Sequence, residues 1–257
     1  MSAANDALSD GRLADALLAQ HAAVGREPSA SARLFLFELL VLADLLAEAR
    51  TQLLAIESDD PRWPASRRRF TQLLRAIRRR NHLRRRPAFL APAPLHAMRR
   101  WNAARAVEVG DAMRGVRWID RADAITPEVS GFVDGREFAG LRDGDERFAS
   151  VFEVFVGGRY VWLPFEQARA VVLKPAEGVV DAAYRPAEVR LTDGRTLDAV
   201  LPLVYPLSAE SGDDFALGET VDWTSEDAGP VCGYGAKVFF IGEDELPLSA
   251  VRMIEVR

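Results

Sequence analysis

The residue types that most often do chemistry are few in this sequence and lie far apart. It has three histidines, His21, His82 and His96, and one cysteine, Cys232. None of the histidines has a serine, cysteine or carboxylate at the spacing of a familiar nucleophile arrangement. A lone cysteine excludes an internal disulfide and a multi-cysteine metal site. We therefore predict a protein that is not an enzyme, with no catalytic residue, metal or cofactor, and with Cys232 either a reactive thiol or a small buried side chain.

Two short stretches resemble ligand-binding loops only in part. Residues 143–146, with the sequence Asp-Gly-Asp-Glu, match the start of a calcium loop. They lack its third carboxylate and its closing glutamate, so an acidic hairpin turn explains them better. Residues 229–235 are rich in glycine, but no lysine with a following serine or threonine comes next, and a strand is predicted there instead of a helix. We therefore predict neither a calcium site nor a phosphate loop.

The strongest local charge feature runs from Arg62 to Arg86, with eleven arginines and no acidic residue. A helix predicted over residues 65–81 puts its apolar side chains on one stripe, namely Phe70, Leu73, Leu74 and Ile77. The arginines that surround this stripe are Arg67, Arg68, Arg69, Arg75, Arg78, Arg79 and Arg80. Such a face is a docking surface for an acidic partner, a phosphate contact or simply solvated surface. Because the formal net charge is −5, we place nucleic acid behind the other two.

The helical period extends over the first half of the chain. Ser9 or Asp10 is a candidate cap for the first helix, and residues 11–28 have the spacing of the second helix of a tetratricopeptide unit. The next helix, which contains Phe35 and Leu39, is apolar nearly all round and is predicted to lie centrally. Where such a repeat has a glycine between helices, this chain has Asp44. We therefore expect the helix to continue toward residue 53 without a clean break.

From residue 129 the period changes to two, and the chain is punctuated by turn signals. Hairpins are predicted at residues 134–135 (Asp-Gly), 157–158 (Gly-Gly) and 193–194 (Asp-Gly). The central hairpin carries Tyr160, Trp162 and Phe165, which we interpret as core side chains in preference to the lining of a ligand pocket. About eight strands within about 130 residues favour a compact, barrel-like or highly curved antiparallel sheet.

The fold class that we predict is therefore α+β. An all-helical, tetratricopeptide-like layer covers residues 1–124, and a small antiparallel, barrel-like β domain that folds separately covers residues 125–257. No signal peptide is recognised at the start of the sequence. The longest apolar run, residues 34–47, is interrupted by Glu38 and Asp44 and is shorter than the roughly 20 residues of a membrane-spanning helix. We expect a cytoplasmic protein without a membrane segment.

An ordered series of stretches resembles the ImpE/TagJ family, accessory proteins that are encoded with bacterial type VI secretion systems. The matching stretches are residues 33–40 (RLFLFELL), 86–89 (RPAF), 131–135 (GFVDG), 154–165 (VFVGGRYVWLPF), 185–188 (RPAE) and 245–248 (ELPL). No single stretch is a catalytic signature, and the specificity comes from their order across most of the chain. The chain departs from the family pattern at Asp44, at Gly157, where the family often has asparagine, and in its number of arginines.

The resemblance implies a non-catalytic cytoplasmic adaptor. Members of the family bind the small subunit of the contractile sheath through a helix of that subunit, and they connect to the ATPase that recycles contracted sheaths. The resemblance names no contact residues. From the residues themselves we predict that residues 1–124 hold the main partner-binding surface, with candidate contacts at Phe35, Leu39, Arg68, Arg75 and Arg79. The alternative is a nucleic-acid-binding protein that uses the basic segment from Arg62 to Arg86.

Overall fold

The computed structural model describes residues 2–83, 85–225, 229–242 and 244–257. Within them, seven α-helices precede residue 125, at Ala3–Ser9 (α1), Leu13–Arg26 (α2), Ala30–Leu42 (α3), Leu46–Leu54 (α4), Trp63–Arg80 (α5), Leu95–Glu108 (α6) and Ala112–Asp123 (α7). From α1 to α5 each helix packs on the next one along the chain, and α6 packs on α7. The likeness to tetratricopeptide repeats stays a prediction. One residue of the basic segment, Arg84, lies outside the described residues.

Side-chain capping explains where three of these helices begin, and Ser2 is the cap of α1. The Ser29 hydroxyl accepts a backbone N–H in the first turn of α3, and the Asp111 carboxylate does the same for α7, as preferences at the N-cap predict. The predicted cap by Ser9 or Asp10 is wrong. Ser9 is the last residue of a separate short helix, α1, and α2 begins at Leu13 without a side-chain cap.

The break between α3 and α4 is clean, so the expected continuous helix is also wrong. Asp44 adopts the left-handed conformation, with φ of 57°. Its Oδ2 accepts a hydrogen bond of 2.7 Å from Nδ2 of Asn81, the residue that follows the last residue of α5. Aspartate enters this conformation more readily than most residues because its short polar side chain forms local hydrogen bonds. Asp44 therefore does the work that glycine does in a repeat, and it ties the turn to the end of α5.

The second half contains thirteen described strands instead of about eight. They are Ser130–Val133 (β1), Arg136–Ala139 (β2), Leu141–Asp143 (β3), Val151–Val156 (β4), Arg159–Pro164 (β5), Ala168–Leu173 (β6), Tyr184–Leu191 (β7), Thr196–Pro202 (β8), Val221–Trp223 (β9), Gly233–Gly235 (β10), Val238–Ile241 (β11), Asp244–Pro247 (β12) and Met253–Val256 (β13). A short helix, Asp213–Leu217 (α8), lies between β8 and β9. Every pairing between these strands is antiparallel.

The three predicted hairpins are confirmed. β1 pairs with β2, β4 with β5 and β7 with β8, each at a predicted turn. Two residues separate the strands of the first two hairpins, and residues 192–195 connect those of the third. Gly157 and Gly158 have φ of 58° and 81°, the positive angles that a tight hairpin turn requires. β5 ends at Pro164, as expected of a residue that cannot donate to the ladder.

The sheet is open, so the predicted barrel-like closure is wrong. The large sheet has the order β2-β1-β13-β6-β7-β8-β4-β5, and its two end strands do not pair with each other. The free side of β5 is occupied by the linker before α6. The Ala88 N–H donates to the Tyr160 carbonyl (3.1 Å), and the Trp162 N–H donates to the Ala88 carbonyl (2.9 Å). This linker covers the strand edge that closure would need.

Two smaller sheets complete the β half, with orders β12-β11-β3 and β10-β9. β3 pairs with β11, whereas β4 pairs with β5 and β8. Residues 144–150 therefore connect two different sheets, and the predicted acidic hairpin turn at residues 143–146 is wrong.

The apolar core is continuous from the helical half into the β half. One cluster joins buried side chains of α3 and α5, such as Phe37 and Phe70, to Phe155, Tyr160 and Trp162 on the central hairpin. A second cluster fills the space between the sheets of the β half. Tyr160, Trp162 and Phe165 are 0–2% exposed, so the prediction that these three aromatic side chains belong to the core is confirmed. None of the described helices is long and apolar enough to cross a bilayer.

Candidate partner-binding surface

Helix α5 is the element that carries the strongest sequence signal, and it forms as predicted. Pro64 lies in its first turn, where a missing N–H costs nothing. The apolar stripe of Phe70, Leu73, Leu74 and Ile77 is buried along its whole length. The helix is therefore anchored through this stripe and turns its remaining faces outward.

The arginines of α5 that were predicted as contacts, Arg68, Arg75 and Arg79, have two different environments. Arg68 and Arg75 are exposed, and neither forms an ion pair with any described part of the chain. Arg79 donates to the carbonyl oxygens of His82 (2.9 Å) and Arg86 (2.7 Å), so it holds the chain after the helix. Burial, followed by the nearby Arg85, lowers the pKa of Arg79. Of the predicted arginine contacts, Arg68 and Arg75 therefore present open cationic surface, while Arg79 is largely occupied.

The two predicted apolar contacts lie on α3. Phe35 is half-buried against the helical core. Leu39 has 0% exposure and is surrounded by that core, because α3 is packed on both sides by α2 and α4. Leu39 therefore supports the shape of the helical layer, and Phe35 is the one of the two with surface to offer.

The seventh arginine of α5, Arg80, is buried, so the prediction that it lies on the arginine face around the apolar stripe is wrong. Its Nε and Nη2 donate to the two carboxylate oxygens of Glu153 at 2.8 and 2.7 Å, and Nη2 also donates to the Val204 carbonyl. A signal for this was present in the sequence. Arg80 follows Leu73 by seven residues and Ile77 by three, which places it on the apolar stripe.

Glu153 is the centre of a larger buried network. Lys237 Nζ lies 3.1 Å from its Oε2, and the Tyr160 hydroxyl donates to its Oε1. Burial alone would raise the pKa of Glu153, but Arg80 and Lys237 outweigh it and lower that pKa to about 2. Lys237 also contacts Asp143 at 2.6 Å. The cations and carboxylates compensate one another, as buried charges must.

The acidic stretch and the glycine-rich stretch of the sequence meet in this network. Asp145 Oδ2 accepts from the Gly233 N–H, and Glu146 Oε2 accepts from the Val231 N–H, both at 2.9 Å. Asp145 also forms an ion pair with Arg147, with 2.5 Å between Oδ2 and Nη2. These carboxylates are thus occupied by backbone N–H groups and by an arginine of the same chain. No group of three histidine, cysteine or acidic side chains suited to a metal occurs among the described residues.

Cys232, in the same glycine-rich stretch, is a buried thiol. It is 4% exposed, and its Sγ donates to the Pro230 carbonyl at 3.3 Å. Burial raises the pKa of Cys232 to about 12. Since the thiolate is the reactive form of cysteine, this environment favours the small buried side chain over the reactive thiol.

His96 has partners that sequence reasoning missed. Its Nδ1 lies 2.9 Å from Ser150 Oγ and its Nε2 lies 2.7 Å from Glu166 Oε1. This order resembles a serine–histidine–carboxylate relay. However, Ser150 is 2% exposed and its Oγ also accepts from Arg100 Nε at 2.9 Å. We interpret the group as a tie between α6 and the β4–β5 region, because the hydroxyl offers no surface to a substrate.

Two neighbouring hollows, with volumes of about 570 and 630 Å³, are lined in part by residues of α5. Arg69 and Glu177 line both of them. Glu38 lies in one, with its carboxylate against Gly178 and with the backbone N–H groups of Val180 and Val179 directed at it. Burial raises the pKa of Glu38 to about 7. The lining of these hollows is therefore mixed in charge.

A third groove, of about 610 Å³, lies between α4 and α5. Of the predicted contacts, it contains Arg75. It has no acidic residue in its lining, and its floor is made of leucines. The structure thus separates the predicted contacts, with Arg75 in a groove, Arg68 on open surface, Phe35 on α3, and Arg79 and Leu39 in supporting positions.

Comparison with known proteins gives three results. The family model described as ImpE protein matches residues 135–255. The type VI secretion system accessory component TagJ of Pseudomonas aeruginosa is 33% identical over 264 residues, which cover 98% of this chain and 90% of that protein. The crystal structure of protein VPA1032 from Vibrio parahaemolyticus has a TM-score of 0.91 at 22% identity, covering 99% and 97% of the two chains. The similarity to VPA1032 shows a shared fold. The similarity to TagJ extends through both the helical half and the β half of this chain.

Proposed function

This chain belongs to the ImpE family of type VI secretion accessory components, and from that premise we propose that it is a non-catalytic cytoplasmic adaptor. In this proposal it binds the small subunit of the contractile sheath through one helix of that subunit, and it links the subunit to the ATPase that recycles contracted sheaths. The observation that carries the proposal is the 33% identity to TagJ over 98% of the chain.

The helical half supports this role physically. Consecutive helices that pack in a layer leave grooves between them, and such grooves accept a partner helix through apolar anchors at helical spacing. Exposed arginines without ion-pair partners in the described chain, such as Arg68 and Arg75, add long-range attraction for an acidic partner. We propose that residues 1–124 provide the main binding surface.

Co-purification tests the proposal. The full chain is expressed with the sheath small subunit, and separately with the ATPase, from the same secretion gene cluster. We expect a stable complex with the small subunit at physiological salt. Folded protein that retains neither the subunit nor the ATPase would contradict the adaptor role.

A second candidate is nucleic-acid binding through the segment from Arg62 to Arg86. The exposed arginines favour it, while the net charge of −5 opposes it. It predicts an affinity for DNA that falls steeply with salt, because neutralised phosphates release counterions. It also predicts loss of binding when Arg68 and Arg75 are changed to glutamate. A mobility-shift assay at low salt with duplex and single-stranded DNA tests for this binding. The absence of a shift with both would contradict the nucleic-acid-binding function.

A further inference from the structure

The groove between α4 and α5 follows helical spacing on both walls. α4 contributes the residues at positions 46, 47, 50, 53 and 54, and α5 contributes those at 71, 74, 75 and 78. On each helix the lining extends over about two turns, or about 11 Å. An open groove of this length and shape accepts about two turns of a third helix.

The floor of this groove is apolar. Leu53 and Leu74 are buried at 1% and 8% exposure, so they are held in place by the core below. Leu54 is 50% exposed, and Leu46 is half-buried. The groove therefore offers leucine surface that water covers at present and that an apolar side chain would gain by covering.

The rim of the groove is cationic on both sides. Arg50 on α4 and Arg75 and Arg78 on α5 are exposed and line it. None of the three forms an ion pair within the described ranges of the chain. An apolar floor with arginines on both sides has a clear complement, namely an apolar stripe with carboxylates on both sides.

We propose that the α4–α5 groove is the docking site for an amphipathic helix of a partner protein whose apolar stripe is bordered by acidic residues. The inference rests on the proposed adaptor function and adds to it the place and the chemistry of the contact. The two neighbouring hollows beside α5 fit this partner less well. Acidic residues such as Glu38, Asp60 and Glu177 line them and would repel its carboxylates. A nucleic acid would use the arginines but leave the leucine floor unfilled.

The direct test uses two synthetic peptides of about 18 residues, a length at which an isolated helix begins to be populated. One has leucines at helical spacing bordered by glutamates, and the other has lysines in place of the glutamates. Fluorescence anisotropy with the full chain measures both. We expect the acidic peptide to bind with an affinity that falls as salt rises, and the basic peptide to bind at least about tenfold more weakly.

Charge reversal localises the site. Arg75→Glu with Arg78→Glu is expected to weaken the acidic peptide by about tenfold or more and to strengthen the basic one. The matched control, Arg67→Glu with Arg68→Glu, makes the same charge change on the same helix outside the groove and is expected to have a much smaller effect. Leu54→Glu, at a half-exposed position, is expected to weaken the acidic peptide without loss of helical circular dichroism.

Several outcomes would overturn the inference. They are failure of the acidic peptide to bind the wild-type chain, equal binding of the two peptides, and equal effects of the groove and control variants. Self-association of the chain that is abolished by Leu54→Glu would instead assign the groove to a second copy. The sheath small subunit separates the two proposals. If the small subunit binds wild type and the groove variants equally well, the groove proposal is contradicted and the adaptor proposal is supported. If the small subunit does not bind wild type although the acidic peptide does, only the adaptor proposal is contradicted.

Discussion

At the scale of single residues, Glu38 is a carboxylate whose charge is costly to bury. Burial raises the pKa of Glu38 from its ordinary value of about 4.5 to about 7, with Asp181 raising it further and Arg69 lowering it. The folded state therefore binds this proton more tightly than the unfolded state. The stability that this group contributes is fully present below about pH 4.5 and is lost as pH rises through 7.

Glu38→Gln removes this dependence while it keeps an oxygen for the backbone N–H groups. The free energy of unfolding of the variant should match that of wild type near pH 4.5 and exceed it at pH 8 by up to about 3 kcal/mol, because the pKa of Glu38 is about 7 in the folded chain and about 4.5 in the unfolded one. Urea unfolding of both proteins at the two pH values measures the difference. Glu57→Gln, at an exposed position, is the control. A Glu38→Gln effect that is equal at the two pH values would contradict the assignment.

Arg80 and Glu153 form a buried ion pair that is 73 residues apart in sequence. Arg80→Met should cost about 3–5 kcal/mol, because it leaves Glu153 without its bidentate partner. The double variant Arg80→Met with Glu153→Gln should cost less than the sum of the two single changes. Chemical denaturation measures all three, and Arg68→Met, on the open surface, should stay within about 0.5 kcal/mol of wild type. Equal effects at positions 80 and 68 would refute the pairing.

At the scale of elements, the turn between β4 and β5 presses the central hairpin onto α5. Both Gly157 and Gly158 have positive φ, but their surroundings differ. A Cβ at Gly157 would meet nothing within 4 Å, whereas one at Gly158 would lie 3.2 Å from Gln72 Cα in α5. Gly158 is thus needed both for its positive φ and for the close approach of the turn to α5, whereas Gly157 is needed for its positive φ alone.

These surroundings predict different outcomes for neighbouring substitutions. Gly157→Asn should be close to neutral, since asparagine tolerates the left-handed region and suits the first position of this turn. Gly158→Ala should destabilise by about 1–3 kcal/mol through strain and crowding against α5. Thermal unfolding of the two variants side by side provides the comparison. A more harmful Gly157→Asn would show that contact with α5 does not constrain the turn.

At the scale of the whole molecule, the two halves share buried structure. One apolar cluster contains side chains from both, and Arg80 of the first half compensates Glu153 of the second. The boundary near residue 125, with a separately folding β half, stays a prediction from the sequence. The shared core leads us to expect that residues 125–257 alone are much less stable than the full chain, because Glu153 would lose Arg80 and the hairpin aromatics would lose their cover.

Expression of residues 125–257 tests this expectation. Circular dichroism and urea unfolding should show a β fragment with a lower midpoint than the full chain, or with no cooperative transition. The full chain should unfold in one transition whether followed by helical circular dichroism or by tryptophan fluorescence. A fragment as stable as the full chain would establish the β half as an independent domain.

The sequence by itself determined the local structure of this protein. The change of period near residue 125, the turns at 134–135, 157–158 and 193–194, and the apolar stripe of α5 depend on helical or strand spacing and on allowed backbone angles. These are properties of short segments. The ordered family stretches likewise depended on sequence alone, and they led to the family that the 33% identity to TagJ supports.

Only the tertiary structure decided which side chains meet. No local pattern shows that Arg80 pairs with Glu153 or that His96 lies between Ser150 and Glu166. Nor does one show that the acidic stretch at residues 143–146 accepts hydrogen bonds from the glycine-rich stretch at residues 229–235. Most of these partners are 70 or more residues apart in sequence. The open sheet depends on a linker residue, Ala88, that pairs with an edge strand. The arginine-rimmed groove likewise exists only because α4 and α5 lie side by side with leucines between them. Burial and pairing across the chain depend on how the elements pack, and that information is not contained in the pattern of any one element.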